Sequence, residues 1–109
     1  MIIDFKTIEE KGTLNFKGGE GTSYARTYQD DLGKIICTTL KKGTSIGYHL
    51  HETSSETMYI ISGIANFVFD GKEEVAYPGE VHYCPKGSSH SIRNDHDEDL
   101  VMFCVVPLQ

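Results

Sequence analysis

Turn-forming residues recur along this chain at intervals that suit short β-strands. The runs between them are rich in β-branched and aromatic residues, which favour strands over helices. The turn residues are Gly33, Gly43, Gly63, Asp70-Gly71, Pro78-Gly79, Pro85 and Gly87. Many short strands joined by regular turns indicate an all-β sandwich or barrel. No linker, repeat or low-complexity segment interrupts the 109 residues, so we expect a single domain over 1–109.

The spacing predicts nine strands. They cover residues 22–28, 34–40, 45–51, 56–62, 64–69, 73–77, 80–84, 89–93 and 100–106. Asp70-Gly71 predicts a tight hairpin between two of them, because this dipeptide suits a two-residue turn. We expect one helical turn near residues 7–11 and a mobile, glycine-rich loop over residues 15–21.

Composition excludes several classes of function. The formal net charge is -6, and Lys41-Lys42 is the only adjacent basic pair, which argues against nucleic acid binding. No apolar run approaches the roughly 18 residues of a membrane span. The N-terminus lacks the basic and apolar regions of a signal peptide. Cys37, Cys84 and Cys104 form an odd, widely spaced set, so we expect free thiols and a cytoplasmic location.

Three histidines and one carboxylate form a candidate metal site. His49 and His51 are at positions i and i+2, which share one face of a strand. Glu56 follows after a turn, and His90 comes from a distant part of the chain. Imidazole and carboxylate groups are usual ligands of divalent transition metals. Burying these four polar side chains without a partner would be costly, whereas a metal ion would satisfy all of them.

Glycines and prolines at fixed distances from these ligands complete two motifs that resemble those of the cupin superfamily. The first runs through Gly43, His49, His51, Glu56 and Gly63, and the second through Gly79, Pro85, Gly87, His90 and Asn94. Both are complete, and together they span residues 43–94. The resemblance implies a small barrel of two antiparallel sheets with the metal site inside.

The residues also suggest the chemistry of the site. Three neutral imidazoles, a carboxylate and a divalent cation carry a net charge of about +1, which suits an anionic oxygen ligand. Four protein ligands leave coordination positions open, as in catalytic metal sites. Mn, Fe, Ni, Cu and Zn all suit this donor set, so we expect one such ion per chain without naming it. Beyond these four metal ligands, the sequence predicts no particular catalytic residue and no organic cofactor.

The resemblance leaves more than one function open. We expect a metal-dependent protein that acts on a small anionic organic molecule, with a dioxygenase-type oxidoreductase as the leading interpretation. A Lewis-acid lyase or isomerase, and a metal-containing binding or sensing module without turnover, remain alternatives. The absence of an N-terminal disulfide disfavours germin-like oxalate oxidases, and the length disfavours two-domain decarboxylases. Fold alone does not decide between these classes.

Several other residues receive a specific prediction. Tyr24 and Arg26 share a strand face, and we expect them to reach the pocket, where Arg26 would bind a substrate carboxylate. We expect His82 and His96 to be ordinary core or surface residues and Asn94 to be a turn residue.

Strand parity predicts an exposed apolar stripe. If His49 points inward, then Ile46, Tyr48 and Leu50 point outward, and Tyr59 and Ile61 do the same on the next strand. An exposed stripe of this kind favours a partner, and cupins are commonly dimers. We therefore expect a homodimer across Ile46, Tyr48, Tyr59 and Ile61, with an N-terminal strand around residues 2–5 crossing to the partner.

Overall fold

Ten antiparallel strands form two sheets in the computed structural model, which describes residues 1–109. The strands are β1 (Lys11–Leu14), β2 (Thr22–Asp30), β3 (Gly33–Leu40), β4 (Ser45–Leu50), β5 (Glu56–Ser62), β6 (Ala65–Phe69), β7 (Lys72–Ala76), β8 (Val81–Cys84), β9 (Ser89–Arg93) and β10 (Leu100–Pro107). The large sheet has the order β1-β2-β3-β10-β5-β8, and the small sheet has the order β4-β9-β6-β7. The predicted all-β fold of two antiparallel sheets is confirmed.

All nine predicted strands are present, with ends within two residues of the expected positions. The sequence prediction missed β1, whose four residues are all exposed and which pairs only with β2 at the edge of the large sheet. A short exposed edge strand has no buried face, so it carries no alternating apolar pattern. Two short 3₁₀ turns, at Phe5–Thr7 and Phe16–Gly18, are the only helical segments.

The glycine-rich segment before β2 is not a free loop. Its 3₁₀ turn at Phe16–Gly18 lies directly on the backbone of β4. A Cβ atom on Gly47 would stand 2.0 Å from the carbonyl oxygen of Lys17, and one on Gly19 would stand 2.1 Å from that of Ser45. Both glycines are therefore needed for this close approach of two backbones.

The Asp70-Gly71 hairpin forms as predicted. It joins β6 to β7, and both residues have positive φ, 46° for Asp70 and 83° for Gly71. This backbone is that of a two-residue turn matched to the twist of the paired strands. The Asp70 side chain also accepts a hydrogen bond from the backbone N–H of Ser89 at 2.8 Å, which ties the hairpin to β9.

A β-bulge in β4 corrects the predicted strand parity. Ile46 pairs with Ile92 but His49 pairs with His90, so β4 has one residue more than β9 between these two pairs. The extra residue turns Ile46 to the same side as His49. Ile46 is consequently buried in the core, and the prediction that it faces outward is wrong.

The apolar core lies between the two sheets and draws on both. Its eleven buried residues are Leu40, Ile46, Met58, Ile60, Ala65, Phe67, Ala76, Ile92, Leu100, Met102 and Cys104. All three cysteines are free, as predicted. Asn94 is fully buried and donates from its side-chain amide to the carbonyl oxygens of Leu40 and Glu98. These bonds fix the turn between β9 and β10, in agreement with its predicted role.

The predicted dimer stripe is not one continuous surface. Tyr48 is exposed on β4 of the small sheet, whereas Tyr59 and Ile61 are exposed on β5 of the large sheet. The sequence analysis took these two strands as neighbours, but β4 and β5 belong to different sheets. The predicted N-terminal strand is also absent, because Phe5 begins a 3₁₀ turn and its ring lies 6.1 Å from that of Phe103 in the same chain.

Candidate metal centre

The four predicted metal ligands converge on one point inside the barrel. Their ligand atoms, one each from His49, His51, Glu56 and His90, all lie within 4.8 Å of one another. His49 lies near the end of β4, His51 just beyond it, Glu56 at the start of β5 and His90 in β9. The site therefore spans both sheets, and residues up to 41 positions apart in sequence meet only after folding.

Hydrogen bonds orient each of the three imidazole rings from its outer side. Nδ1 of His49 lies 2.7 Å from the carbonyl oxygen of Gly47, and Nδ1 of His51 lies 2.9 Å from Oγ of Ser54. Nδ1 of His90 lies 2.9 Å from Nε2 of His82. In each ring this leaves Nε2 as the nitrogen that is free to bind a metal ion.

Glu56 is ionised at neutral pH in this environment. Burial by itself raises the pKa of its carboxyl group, but the adjacent rings of His51 and His90 outweigh burial and lower that pKa to about 2. The Glu56 carboxylate oxygen lies 3.1 Å from Nε2 of His90 and 3.4 Å from Nε2 of His51. Burial also lowers the pKa of His49, which keeps its ring in the neutral form that binds metals.

The donor set fits a divalent transition metal. A carbonyl oxygen only accepts hydrogen bonds, so Nδ1 of His49 carries the proton and its Nε2 carries a lone pair. One carboxylate and three imidazoles meet from different elements, and four protein ligands would leave coordination positions for outside ligands on a bound ion. The chain thus has a His₃Glu group positioned to bind one metal ion, whose identity the donors do not decide.

His82 and Glu74 extend this arrangement away from the metal ligands. Nδ1 of His82 lies 2.7 Å from Oε1 of Glu74, and the other His82 nitrogen contacts His90. His82 is a satisfied core residue, as predicted, but its link to a ligand was missed. The alternation along β8 shows on which side His82 lies. Val81 and Tyr83 are exposed, so His82 between them faces the interior, where the metal ligands are. Burial lowers the pKa of His82, so that its ring is neutral at pH 7.

A cavity of about 300 Å³ opens beside the metal ligands. His49, His51 and Glu56 line it together with the ammonium-bearing side chains of Lys17 and Lys34. A second cavity of about 260 Å³ shares Lys34 and Glu56 with the first and adds Lys11. Each cavity wall carries two lysines and two glutamates: Glu52 and Glu56 accompany the lysines of the first cavity, and Glu9 and Glu56 those of the second. The sequence prediction overlooked Lys34, an exposed residue of β3 that borders both cavities and shares strand parity with Ile36 and Thr38.

Tyr24 and Arg26 do not lie at the cavity. They share a strand face, as the sequence indicates, but Ser23, Ala25 and Thr27 of β2 line the second cavity instead. Tyr24 faces a separate surface depression, and the Arg26 guanidinium donates to the carbonyl oxygen of Ile8. The expected parity was off by one residue because no ligand on β2 fixed its register.

Comparison with known families agrees with the geometry. The family model for the cupin domain matches residues 37–106, a segment that contains all four candidate ligands. The chain belongs to the cupin family. Its strand content and two antiparallel sheets are those of the cupin double-stranded β-helix proteins to which it is similar.

Individual cupins resemble this chain over its full length. An oxalate-binding protein of Thermotoga maritima is 38% identical over 114 residues, which cover 99% of this chain and 94% of that protein. The crystal structure of a predicted oxalate decarboxylase from Thermotoga maritima superposes with a TM-score of 0.93 at 28% identity, and the match covers 100% of both chains.

A third cupin shows how far the fold extends. The cupin domain of Cnp3 from Schizosaccharomyces pombe has a TM-score of 0.79 at 9% identity over 97% of this chain and 72% of that one. At such identity the likeness concerns the fold alone. No helix of this cupin is long and apolar enough to span a bilayer.

Proposed function

We propose that this cupin holds one divalent transition metal at His49, His51, Glu56 and His90 and binds a small carboxylate anion beside it. The observation that carries the proposal is the meeting of this ligand set with Lys34 and Lys17 at one cavity. A metal with three neutral imidazoles and one carboxylate keeps a net charge of about +1, and the two lysines lie at the same cavity, where Glu52 offsets one of them. A carboxylate anion, which carries its negative charge on oxygen, suits such a site.

The proposed substrate class is the small dicarboxylates, with oxalate as the first member to test. The names found in two comparisons support this choice, an oxalate-binding protein among the sequence relatives and a predicted oxalate decarboxylase among the solved structures. The cavity of about 300 Å³ is ample for an anion of this size. Lys34 takes the place that the sequence analysis gave to Arg26, because Lys34 borders both cavities and Arg26 borders neither.

For the reaction, an oxidative cleavage of dioxygenase type is our first candidate. Bound at this site, a redox-active metal would supply electron transfer to oxygen, whereas a redox-inert metal would supply Lewis-acid polarisation for lyase or isomerase chemistry. The chain's own residues bind and orient the anion and keep Glu56 ionised. A binding module without turnover is the second candidate, and the name of the 38% identical relative favours it.

Metal analysis and titration calorimetry test the proposal. Protein purified without added metal is assayed for its elements, and oxalate is then titrated into the metal-loaded chain. We expect one metal per chain and saturable binding that Lys34→Gln weakens about tenfold, as the loss of one charge-assisted contact implies. Lys72→Gln removes the same charge at the exposed β6–β7 hairpin and should change nothing. A full metal complement with no affinity for oxalate or other small acids would refute the substrate class.

Oxygen uptake and product analysis then separate the two candidate functions. Consumption of oxygen or release of product by the metal-loaded chain, lost in His51→Ala, identifies an enzyme. Tight binding of a small acid without turnover, together with a change of shape, identifies a binding or sensing module. The free thiols suit a reducing compartment, and we place the protein in the cytoplasm on that ground.

We also propose that the chain forms a homodimer, through the outer face of the large sheet. Tyr59, Ile61, Val81 and Tyr83 are exposed there on the paired strands β5 and β8. An apolar patch of this kind on a sheet favours contact with a second copy. Tyr59→Asp should dissociate the dimer in sedimentation experiments. Tyr48→Asp introduces the same charge on the small sheet and should leave it intact; a wild-type monomer at micromolar concentration would refute the dimer.

A further inference from the structure

Three side chains form a continuous hydrogen-bonded chain from the surface to the metal site. Oε1 of Glu74 lies 2.7 Å from Nδ1 of His82, and Nε2 of His82 lies 2.9 Å from Nδ1 of His90. Nε2 of His90 then faces Glu56 at 3.1 Å. Glu74 is half exposed, whereas His82 and His90 are buried. The chain therefore begins at water and ends at a metal ligand.

The carboxylate at the outer end gives this chain a direction. An ionised carboxylate only accepts hydrogen bonds, so Nδ1 of His82 must carry a proton and donate it to Glu74. In a neutral ring the remaining nitrogen, Nε2, is an acceptor. It can pair with His90 only if Nδ1 of His90 is the donor. Nε2 of His90 is then left with its lone pair directed into the site.

We propose that Glu74 and His82 are positioning residues that hold His90 in the tautomer able to bind the metal through Nε2. The inference rests on the proposed metal site and adds two residues that act on it through a ligand. His49 is held by a backbone carbonyl, whose role as acceptor is fixed. His90 has no backbone acceptor at Nδ1, so its tautomer depends on side chains from other strands.

Packing keeps the His82 ring in the required plane. It stacks on Phe67 with ring centroids 3.8 Å apart and an interplanar angle of 13°, and Phe69 meets its edge at 5.7 Å. His82 is on β8 of the large sheet, whereas Glu74 and His90 are on β7 and β9 of the small sheet. The hydrogen-bonded chain thus crosses between the sheets, and its contacts with Phe67 and Phe69 hold the His82 ring between Glu74 and His90.

Glu74→Gln tests the proposal with a nearly isosteric change. A glutamine can donate or accept at the same place, so the direction of the hydrogen bonds is no longer imposed. We expect the affinity for Zn²⁺, measured by competition with a chelator, to fall about tenfold, at the lower end of what loss of a supporting partner costs. Glu73→Gln is the matched control, since it removes the same charge from the adjacent exposed position on β7. It should bind Zn²⁺ like the wild type.

Nitrogen NMR of the metal-free chain reads the tautomer directly. In the wild type and in Glu73→Gln we expect the His90 signals of a ring protonated at Nδ1 and unprotonated at Nε2. In Glu74→Gln the Nε2-protonated form should appear beside it. A role in stability alone would change the melting temperature and leave this ratio unaltered.

Substitutions of His82 provide a rescue experiment. His82→Phe keeps an aromatic ring against Phe67 but removes the acceptor for His90. His82→Gln supplies an amide oxygen that can accept from Nδ1 of His90, so it should recover part of the Zn²⁺ affinity that His82→Phe loses. Amide spectra check that each variant folds, and Glu74→Gln carries the test if neither does.

The outcomes separate this inference from the proposed function. Unchanged Zn²⁺ affinity and an unchanged His90 tautomer in Glu74→Gln would overturn the inference while leaving the metal site intact. A wild-type chain that binds no metal would refute the proposed function. The tautomer measured in the metal-free chain would still decide what Glu74 and His82 do to the His90 ring.

Discussion

Nε2 of His51 and Nε2 of His90 lie 3.0 Å apart, although 39 residues separate them in the sequence. Two ring nitrogens this close need a proton or a metal ion between or beside them, because two lone pairs would repel one another. The Glu56 carboxylate adds a negative charge at 3.1 Å from one of them and 3.4 Å from the other. The folded chain thus holds together groups that a cation stabilises.

The first prediction concerns stability upon metal removal. The metal ligands meet only in the folded chain, so metal binding should stabilise it by RT ln(1 + [M]/Kd), roughly 2.7 kcal/mol at a hundredfold excess over Kd. Dialysis against a chelator should lower the melting temperature, and readdition of metal should restore it. An unchanged melting curve after verified loss of the metal would count against a site in the folded chain.

The second prediction ranks substitutions of the ligands. His51→Ala should remove a ligand and weaken metal binding by more than the 10–100-fold typical of residues that only support a ligand. His96→Ala is the control, because this histidine lies in the β9–β10 turn away from the site. Competition titration against a chelator gives the affinities. Equal affinity in His51→Ala and the wild type would show that the metal binds elsewhere.

Glu56→Gln addresses the charge of the site. The substitution keeps the shape of the side chain but removes its negative charge, so metal affinity should fall and the net charge should rise by about one unit. The additional positive charge should favour anion binding in whatever fraction retains metal. Calorimetry with oxalate at saturating metal measures that effect; a lower oxalate affinity in the metal-saturated variant would contradict it.

The fourth prediction is that acid destabilises the metal-free chain. The pKa of Glu56 in the folded chain, about 2, is below its unfolded value of 4.5, and the pKa values of His49 and His82 are lowered from 6.5. The unfolded chain therefore binds more protons as the pH falls, which favours unfolding. Stability from the histidines should be lost below about pH 6.5 and that from Glu56 below about pH 4.5. Urea unfolding at pH 7, 5.5 and 4 checks the sign, and a midpoint that rises on acidification would refute it.

The sequence predicted nine strands and the four residues that meet at the candidate metal site, because both leave local patterns. His49 and His51 share a short motif with their glycines, and alternation marks a strand that is buried on one face. β1 left no such pattern, since it is exposed on both sides. Two features depend on which strands face each other across the barrel. They are the place of Lys34 at the cavity and the hydrogen bonds from Glu74 through His82 to His90. That arrangement follows from the sheet order, which local patterns do not encode.

The bulge in β4 shows why strand parity alone misplaced Ile46. Alternation carried back from His49 assigns Ile46 to the outer face, yet one inserted residue reverses the assignment. The signal in the sequence was Gly47, a glycine within an otherwise regular strand. A tertiary contact requires glycine at position 47, because the turn at Phe16–Gly18 occupies the space that a side chain would need. A contact with a segment 30 residues away leaves no local pattern to read.

The last prediction tests this bulge. Gly47→Ala would place its Cβ atom 2.0 Å from the carbonyl oxygen of Lys17, so one backbone must move. We expect a loss of stability of roughly 1–3 kcal/mol, the usual cost of inserting an atom where there is no room. The carbonyl of Gly47 also holds Nδ1 of His49, so metal affinity should fall with it. Gly12→Ala on the exposed edge strand meets only side-chain atoms at 3.0 Å or more, which can turn away, and it should affect neither property. If Gly47→Ala lost stability but kept full metal affinity, the hydrogen bond from His49 to this carbonyl would not be what orients the ligand.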